Sequence, residues 1–100
     1  MLTRADNANI DVAALMARMG AQARAAAAPL AIATTGQKNA ALNAMADALI
    51  DGQADILAAN RSDMEAGRAA NLSDAFLDRL ELTPDRIAAM ADGVRAIAAL

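Results

Sequence analysis

Apolar residues along this chain recur three and four positions apart, and no stretch alternates with period two, so the pattern predicts an all-α fold. Residues 1–9 are polar and are expected to be disordered, followed by a helical segment over residues 10–100. A first helix is predicted from about Asp11. Pro29 is expected to end or kink it, because a proline inside a helix removes a hydrogen bond and clashes with the preceding turn. The apolar face of this helix comprises Val12, Leu15, Met16, Met19 and Ala23.

A second and a third helix are predicted on either side of Gly52. The second begins near Thr34, because Thr34 and Gln37 have the spacing of a capping box, and Gly52 ends or bends it. The third helix runs from about Gln53 to Ala69. The predicted apolar stripes are Leu42, Met45, Leu49 and Ile50 in the second helix, and Ile56, Leu57 and Met64 in the third.

Capping residues also delimit the last two of about five helices. Asn71 stands where a helix end favours a residue that tolerates positive φ, and Ser73 can cap a short fourth helix. Thr83 followed by Pro84 predicts the start of a fifth helix, with a hydroxyl cap and proline in the first helical position. Its apolar face, Ile87, Met90, Ala91, Val94 and Ile97, is in register up to Leu100, which predicts a chain cut from a longer protein.

The apolar content of the chain comes mainly from alanine, which changes the expected size of its hydrophobic core. The chain is 57% hydrophobic, yet about thirty of those residues are alanine and Phe76 is its one aromatic residue. Alanine favours helix strongly but buries little surface. We therefore expect a thin core and a segment that packs against something else.

Several classes of function lack the residues they need. The chain has no cysteine and no histidine, which removes thiol nucleophiles, thiolate zinc sites and the usual general base. A net charge of −3 with scattered basic residues argues against binding nucleic acid. No apolar run is long enough for a membrane span, and the alanine stretch at 25–28 is too weakly apolar for a secretion signal.

The remaining polar patterns have structural interpretations that we prefer. The acid pairs Asp47/Asp51 and Asp74/Asp78 resemble metal ligands in spacing, but no histidine or cysteine completes either site, and solvated helix faces are the simpler interpretation. The sequons that begin at Asn60 and Asn71 are interpreted as chance matches, with asparagine in local capping roles. Four arginines could hold an acidic ligand but are interpreted as surface charges that pair with nearby acids: Arg68, Arg79, Arg86 and Arg95.

Longer motifs resemble one enzyme family, the γ-glutamyl phosphate reductases. Residues 56–63 are similar to the family's helix I-x-x-A-N-x-x-D, and residues 71–80 to G-L-S-x-A-x-L-D-R-L. Residues 82–95 resemble L-T-x-x-R-I-x-x-M-A-x-G-[VL]-R. The resemblance covers about residues 20–100 and leaves residues 1–19 unmatched. Asn71 replaces the family's glycine, and both residues tolerate left-handed φ.

The resemblance implies the N-terminal helical layer of an aldehyde dehydrogenase-like α/β enzyme, part of a larger NADP-binding domain. The implied reaction is the NADPH-dependent reduction of L-glutamate 5-phosphate to L-glutamate 5-semialdehyde in proline biosynthesis, through attack by a cysteine thiolate on the acyl phosphate. That cysteine and the cofactor loops lie in later family sequence. The segment alone is thus predicted to be inactive, with no catalytic, cofactor-binding or metal-binding residue. A cytoplasmic homo-oligomer is implied, in which these helices pack against the rest of their own chain.

Two alternatives stay open. The first is a free-standing helical module whose apolar stripes bind a partner protein. The second is a different aldehyde dehydrogenase relative with an oxidising role.

Overall fold

The computed structural model describes residues 10–100, which form five α-helices without any strand, and this confirms the all-α prediction. The predicted disorder of residues 1–9 lies outside the described residues. The helices are α1 (Val12–Ile32), α2 (Thr35–Asp51), α3 (Gln53–Ala69), α4 (Asp74–Leu80) and α5 (Pro84–Ala98). The chain divides into two compact units, of which the first ends at Thr34 and the second, Thr35–Leu100, contains α2 to α5.

In the first unit, α1 begins as predicted but continues past its proline. The Asp11 carboxylate accepts a hydrogen bond from the Ala14 amide at 3.1 Å and so caps the first turn. The prediction that Pro29 could end the helix is wrong, because α1 continues to Ile32. The cost of Pro29 falls on the preceding turn, and the alanines around it, which favour helix strongly, offset that cost. Most of the predicted apolar face of α1 is exposed, and Leu15 is half-buried.

The second unit begins with two helices that are joined through Gly52. The Gly52 amide donates to the Ala48 carbonyl at 2.9 Å, and the Ile56 amide donates to the Gly52 carbonyl at 3.0 Å. Helix α2 ends before this glycine and α3 begins after it, as predicted, but helical hydrogen bonds continue across the junction. A side chain here would place its Cβ only 3.1 Å from the Ala48 carbonyl oxygen, which explains the glycine. Helices α2 and α3 thus form one arm of the unit.

The chain reverses direction at Asn71, where φ is 58°, as the sequence predicted. The Asn71 amide donates to the Arg68 carbonyl at 3.0 Å and the Leu72 amide to the Gly67 carbonyl at 3.1 Å. This pair of bonds is a Schellman motif, which closes a helix with a left-handed residue. Gly67 leaves room for the returning chain, because an added Cβ would lie 3.2 Å from a Leu72 methyl group and 3.0 Å from Leu77.

We expect Asn71→Gly to be neutral or slightly stabilising and Asn71→Val to cost about 1–2 kcal/mol, because a β-branched residue at positive φ meets its own backbone. Thermal unfolding of both variants would measure the difference. Equal losses of melting temperature would mean that the Asn71 side chain, rather than its backbone conformation, matters.

Side-chain caps start both returning helices as predicted. Ser73 Oγ accepts from the Phe76 amide at 3.2 Å, and Thr83 Oγ1 accepts from the Arg86 amide at 3.2 Å, with Pro84 in the first turn of α5. At its other end α5 continues to Ala98, close to Leu100, up to which the fifth helix was predicted. The Ala99 amide closes the last turn on the Arg95 carbonyl at 3.1 Å.

The main helix contact of the second unit joins α2 to α5, and alanines form much of it. Ala46, Ala91 and Ile87 are buried, whereas Met45 and Ile50, which were predicted to be on the packed stripe, are exposed. Small side chains let two helix axes approach closely, so alanine is part of the core here and not only a source of helix propensity. The hydrophobic pattern therefore placed Met45 in the contact with α5, whereas the buried residue is its neighbour Ala46.

Candidate functional site

The most organised polar site in the second unit is built around Asn60, near the middle of α3. Its side-chain Nδ2 donates to the Leu80 carbonyl at 2.9 Å, and its Oδ1 accepts from the Leu82 amide at 2.8 Å. Asn60 is only 7% exposed. The two backbone groups belong to the link between α4 and α5, where the chain leaves one helix and has not begun the next. The amide of Asn60 therefore replaces two hydrogen bonds that helical backbone would otherwise supply.

Asn60 was interpreted from sequence as a residue with a local capping role, and that interpretation is wrong. Its partners lie 20 and 22 positions further along the chain. The same burial makes Asn60 a poor acceptor for glycosylation, whereas Asn71 lies exposed in its turn. A signal for this role was present in the sequence, because Asn60 occupies the α3 face that also carries Ile56 and Met64, four positions to either side.

Arg86, in the first turn of α5, holds the same link from the solvent side. Its guanidinium donates to the Glu81 carbonyl at 2.6 Å and to the carbonyl of Asp78, and it forms an ion pair with the Asp78 carboxylate at 3.2 Å. Asn60 and Arg86 together bind the backbone of residues 78–82. The hydrogen bonds of both side chains therefore stabilise the fold of this segment.

The four candidate arginines lie on three helices: Arg68 on α3, Arg79 on α4, and Arg86 and Arg95 on α5. Arg86 pairs with Asp78, and Arg95 of α5 pairs with Asp47 of α2, so the predicted pairing with acids is confirmed for these two. Both pairs are largely exposed, and such pairs contribute little to stability, typically about 0–1 kcal/mol. Arg68, in the last turn of α3, lines a cavity beside Asn60.

A shallow cavity of about 280 Å³ opens beside Asn60, between α3 and the α4–α5 link. Its charged side chains are two arginines and two glutamates, and the amide of Asn60 is already engaged. No thiol or imidazole lines the cavity, and the two positive charges of its arginines equal the two negative charges of its glutamates. The lining residues are Asn60, Arg61, Met64, Glu65, Arg68, Glu81 and Leu82.

Residues 10–100 contain neither a cluster of metal ligands nor a membrane-spanning helix. No cluster of three or more acidic, histidine or cysteine side chains in this part of the chain could hold a metal ion. No helix between Val12 and Ala98 is both long enough and apolar enough to cross a membrane. The acid pairs predicted as solvated faces lie on α2 and α4, where Asp47 and Asp78 each bind an arginine.

The fold and its polar contacts define an all-helical segment in which the best-organised side chains hold the helices together. No protein-family model and no solved structure matches the chain. Among curated proteins, the γ-glutamyl phosphate reductase of Mesorhizobium japonicum is 58% identical and that of Brucella anthropi 56% identical, each over all 100 residues. The γ-glutamyl phosphate reductase of Brucella suis biovar 1 is 52% identical over 90 residues.

These identities confirm the resemblance found in the motifs: the chain is homologous to the N-terminal part of γ-glutamyl phosphate reductase. It spans 23% of the length of the first two relatives and 21% of the third. The matches over all 100 residues also include residues 1–19, which the motif comparison had left unmatched.

Proposed function

We propose that the complete protein containing this segment is an NADPH-dependent oxidoreductase of proline biosynthesis. It would convert L-glutamate 5-phosphate to L-glutamate 5-semialdehyde, with hydride supplied by NADPH and phosphate released. The observation that carries this proposal is the identity of 56–58% over all 100 residues to proteins named γ-glutamyl phosphate reductase. Identity at this level over a whole segment is far stronger support than the fold, since a few helices serve many unrelated functions.

Within that enzyme we assign residues 10–100 a scaffolding role, with no catalytic, cofactor-binding or metal-binding residue among them. Two observations support this role. The polar side chains with well-defined partners, Asn60, Arg86 and Arg95, bind backbone or acids of the same segment. The sequence also has no cysteine for a covalent step and no glycine-rich loop for a pyrophosphate.

The wider setting follows from the same family assignment. The parent would be an aldehyde dehydrogenase-like α/β enzyme, cytoplasmic and homo-oligomeric, in which this segment belongs to the NADP-binding domain. Its principal partner would be the rest of its own polypeptide. The exposed apolar side chains on α2 and α5 support such a partner, because large apolar side chains in one area mark surfaces that bind something.

The test is to express the reading frame that encodes this chain through to its stop codon. We expect the product to restore growth without proline in a strain that lacks γ-glutamyl phosphate reductase. Purified, it should reduce NADP⁺ when given glutamate 5-semialdehyde and phosphate, and use NAD⁺ less well. Deleting the codons for residues 10–100 should abolish both activities by removing the scaffold.

Two results would contradict the proposal. One is a folded, full-length product without activity in the phosphate-dependent assay. The other is a stop codon directly after Leu100 in the native gene, which would favour the helical interaction module.

A further inference from the structure

The two arms of the second unit run in opposite directions. The first arm passes through α2 and α3 without a break in hydrogen bonding at Gly52, and the chain then reverses at Asn71. The second arm returns through α4, is held against the middle of α3 by Asn60, and continues along α2 as α5. Helix α5 therefore lies antiparallel to α2.

The tripeptide Met-Ala-Asp occurs once in each of these helices, at residues 45–47 and 90–92. The alanine of each tripeptide is buried in the contact. Successive helix residues are turned by about 100°, so the methionine and the aspartate project to opposite sides of their alanine. When two antiparallel helices pack through these alanines, both methionines lie along one edge of the helix pair and both aspartates lie along the other edge. The ion pair between Asp47 and Arg95 shows which edge carries the charges.

The opposite edge of the helix pair carries large exposed apolar side chains along its middle, with Arg86 one turn before Met90 and Lys38 two turns before Met45 on the same side. Met45 is 56% exposed and Met90 is 40% exposed, and Ile97, two turns after Met90 on the same side, is 58% exposed. Gly93 lies between these two α5 residues, and a Cβ added there would meet nothing within 4 Å. We call Met45, Met90, Gly93 and Ile97 the methionine edge. It combines adaptable apolar side chains with a gap that lets another backbone approach.

We propose that the methionine edge is the surface on which the remainder of the same polypeptide, beyond these 100 residues, packs. The occupant follows from length, since the segment spans 23% of its relatives and the missing part of such a protein is several times larger than the segment. It also follows from the asymmetry between the edges: the charged edge is suited to water, whereas apolar side chains gain by being covered. The covering surface is itself apolar. This inference rests on the proposed function only in requiring a longer parent protein.

The methionines permit a direct test in the full-length protein. Photo-methionine, a diazirine analogue of similar size, is incorporated, the folded protein is irradiated, and crosslinked peptides are identified by mass spectrometry. We expect crosslinks from positions 45 and 90 to residues beyond position 100 of the same polypeptide. Met64, buried inside the segment, is the internal control and should crosslink only within residues 10–100. A mixture of light and ¹⁵N-labelled protein distinguishes crosslinks within a chain from those between chains.

Three results would overturn the proposal. Positions 45 and 90 could crosslink only within the segment, they could crosslink to a second copy of the protein, or their photolysed diazirines could react only with water. Reductase activity of the same preparation is a separate readout, which decides the proposed function independently of the crosslink map. A correct crosslink pattern in an inactive protein would refute the function and leave the packing surface in place.

Matched substitutions in the full-length protein give a second test. Ile97→Lys would place a charge in the covered edge, and we expect it to lower the melting temperature by about 5 °C or more. Ile50→Lys is the control, since Ile50 is 42% exposed and lies on the charged side of α2, near Asp47. It should change the melting temperature by less than about 2 °C. Equal shifts in the two variants, or a change of oligomeric state with Ile97→Lys and no loss of melting temperature, would contradict the assignment.

Discussion

Replacing Asn60 with alanine is expected to destabilise the helical segment by about 2–4 kcal/mol. The substitution removes the side-chain amide that makes both hydrogen bonds to the α4–α5 link. The Leu80 carbonyl and the Leu82 amide are then left without hydrogen bonds in a partly buried position. Each buried group left unsatisfied costs about 1–3 kcal/mol. The loss should be visible in urea unfolding followed by circular dichroism, and locally as faster hydrogen exchange at the Leu82 amide.

A second substitution at the same site separates its two hydrogen bonds. In Asn60→Asp the introduced carboxylate can still accept from the Leu82 amide, but at neutral pH it faces the Leu80 carbonyl and cannot donate to it. Burial and this repulsion raise the pKa of the introduced carboxyl above its ordinary value of about 3.9. A raised pKa in the folded state means that stability is retained at low pH and lost as pH rises through that pKa. Asn60→Asp should therefore approach wild-type stability on acidification, and Asn60→Ala should not.

The control for both variants is Asn43, an exposed asparagine in α2. Asn43→Ala and Asn43→Asp should change stability by no more than about 0.5 kcal/mol, as surface substitutions usually do. If Asn60→Ala were as mild as Asn43→Ala, water would be replacing the side-chain amide, and Asn60 would not hold the link.

The helix boundaries of this segment could be predicted closely from sequence because the signals that set them are local. Ser73 and Thr83 each bond to an amide three residues away, and Asn71 adopts its positive φ within a single turn. Such contacts depend on near neighbours that the sequence shows directly. The proline in α1 was misjudged because the loss of one hydrogen bond to the preceding turn was weighed without the helix propensity of the alanines around it.

The core was harder to predict, because it depends on which faces meet. Hydrophobicity ranks methionine and isoleucine above alanine, yet Ala46 is buried and Met45 beside it is exposed. Close approach of two helices selects small side chains at the contact, and sequence periodicity in one helix does not show where its partner lies. The prediction of a segment with few large buried side chains nevertheless agrees with the structure, in which Ile87 is the largest side chain that is fully buried.

The organised polar site could be predicted least well, because its partners are distant in sequence. Nothing near Asn60 in the chain indicates that it binds the backbone 20 and 22 positions later; only its place on an apolar helix face marks it as unusual. Family motifs contributed what local physics could not. They showed the resemblance to γ-glutamyl phosphate reductases from residues 56–95, and those residues include Asn60 and Arg86, which hold the α4–α5 link.

Ile87→Ala is expected to be the most destabilising truncation of an apolar side chain in the segment, at about 2–4 kcal/mol. Ile87 is fully buried in the first turn of α5, on the face that also carries Ala91. Deleting three carbon atoms there removes buried apolar area and leaves a cavity, and the cost rises with the volume that neighbours fail to fill. Ala91, one turn further along the same face, has no flexible side chain with which to fill it.

A graded series distinguishes this cavity effect from a general weakening of α5. Ile87→Val removes one methylene and should cost about 0.5–1.5 kcal/mol, while Ile50→Ala, at an exposed position in α2, should cost less than either Ile87 variant. Alanine has a higher helix propensity than isoleucine, so any loss in Ile87→Ala arises against a small gain in local helix stability. Equal stability of Ile87→Ala and Ile50→Ala in urea would contradict the fully buried position of Ile87. The predicted order is instead set by burial, since the same chemical change is made at both sites and only the surroundings differ.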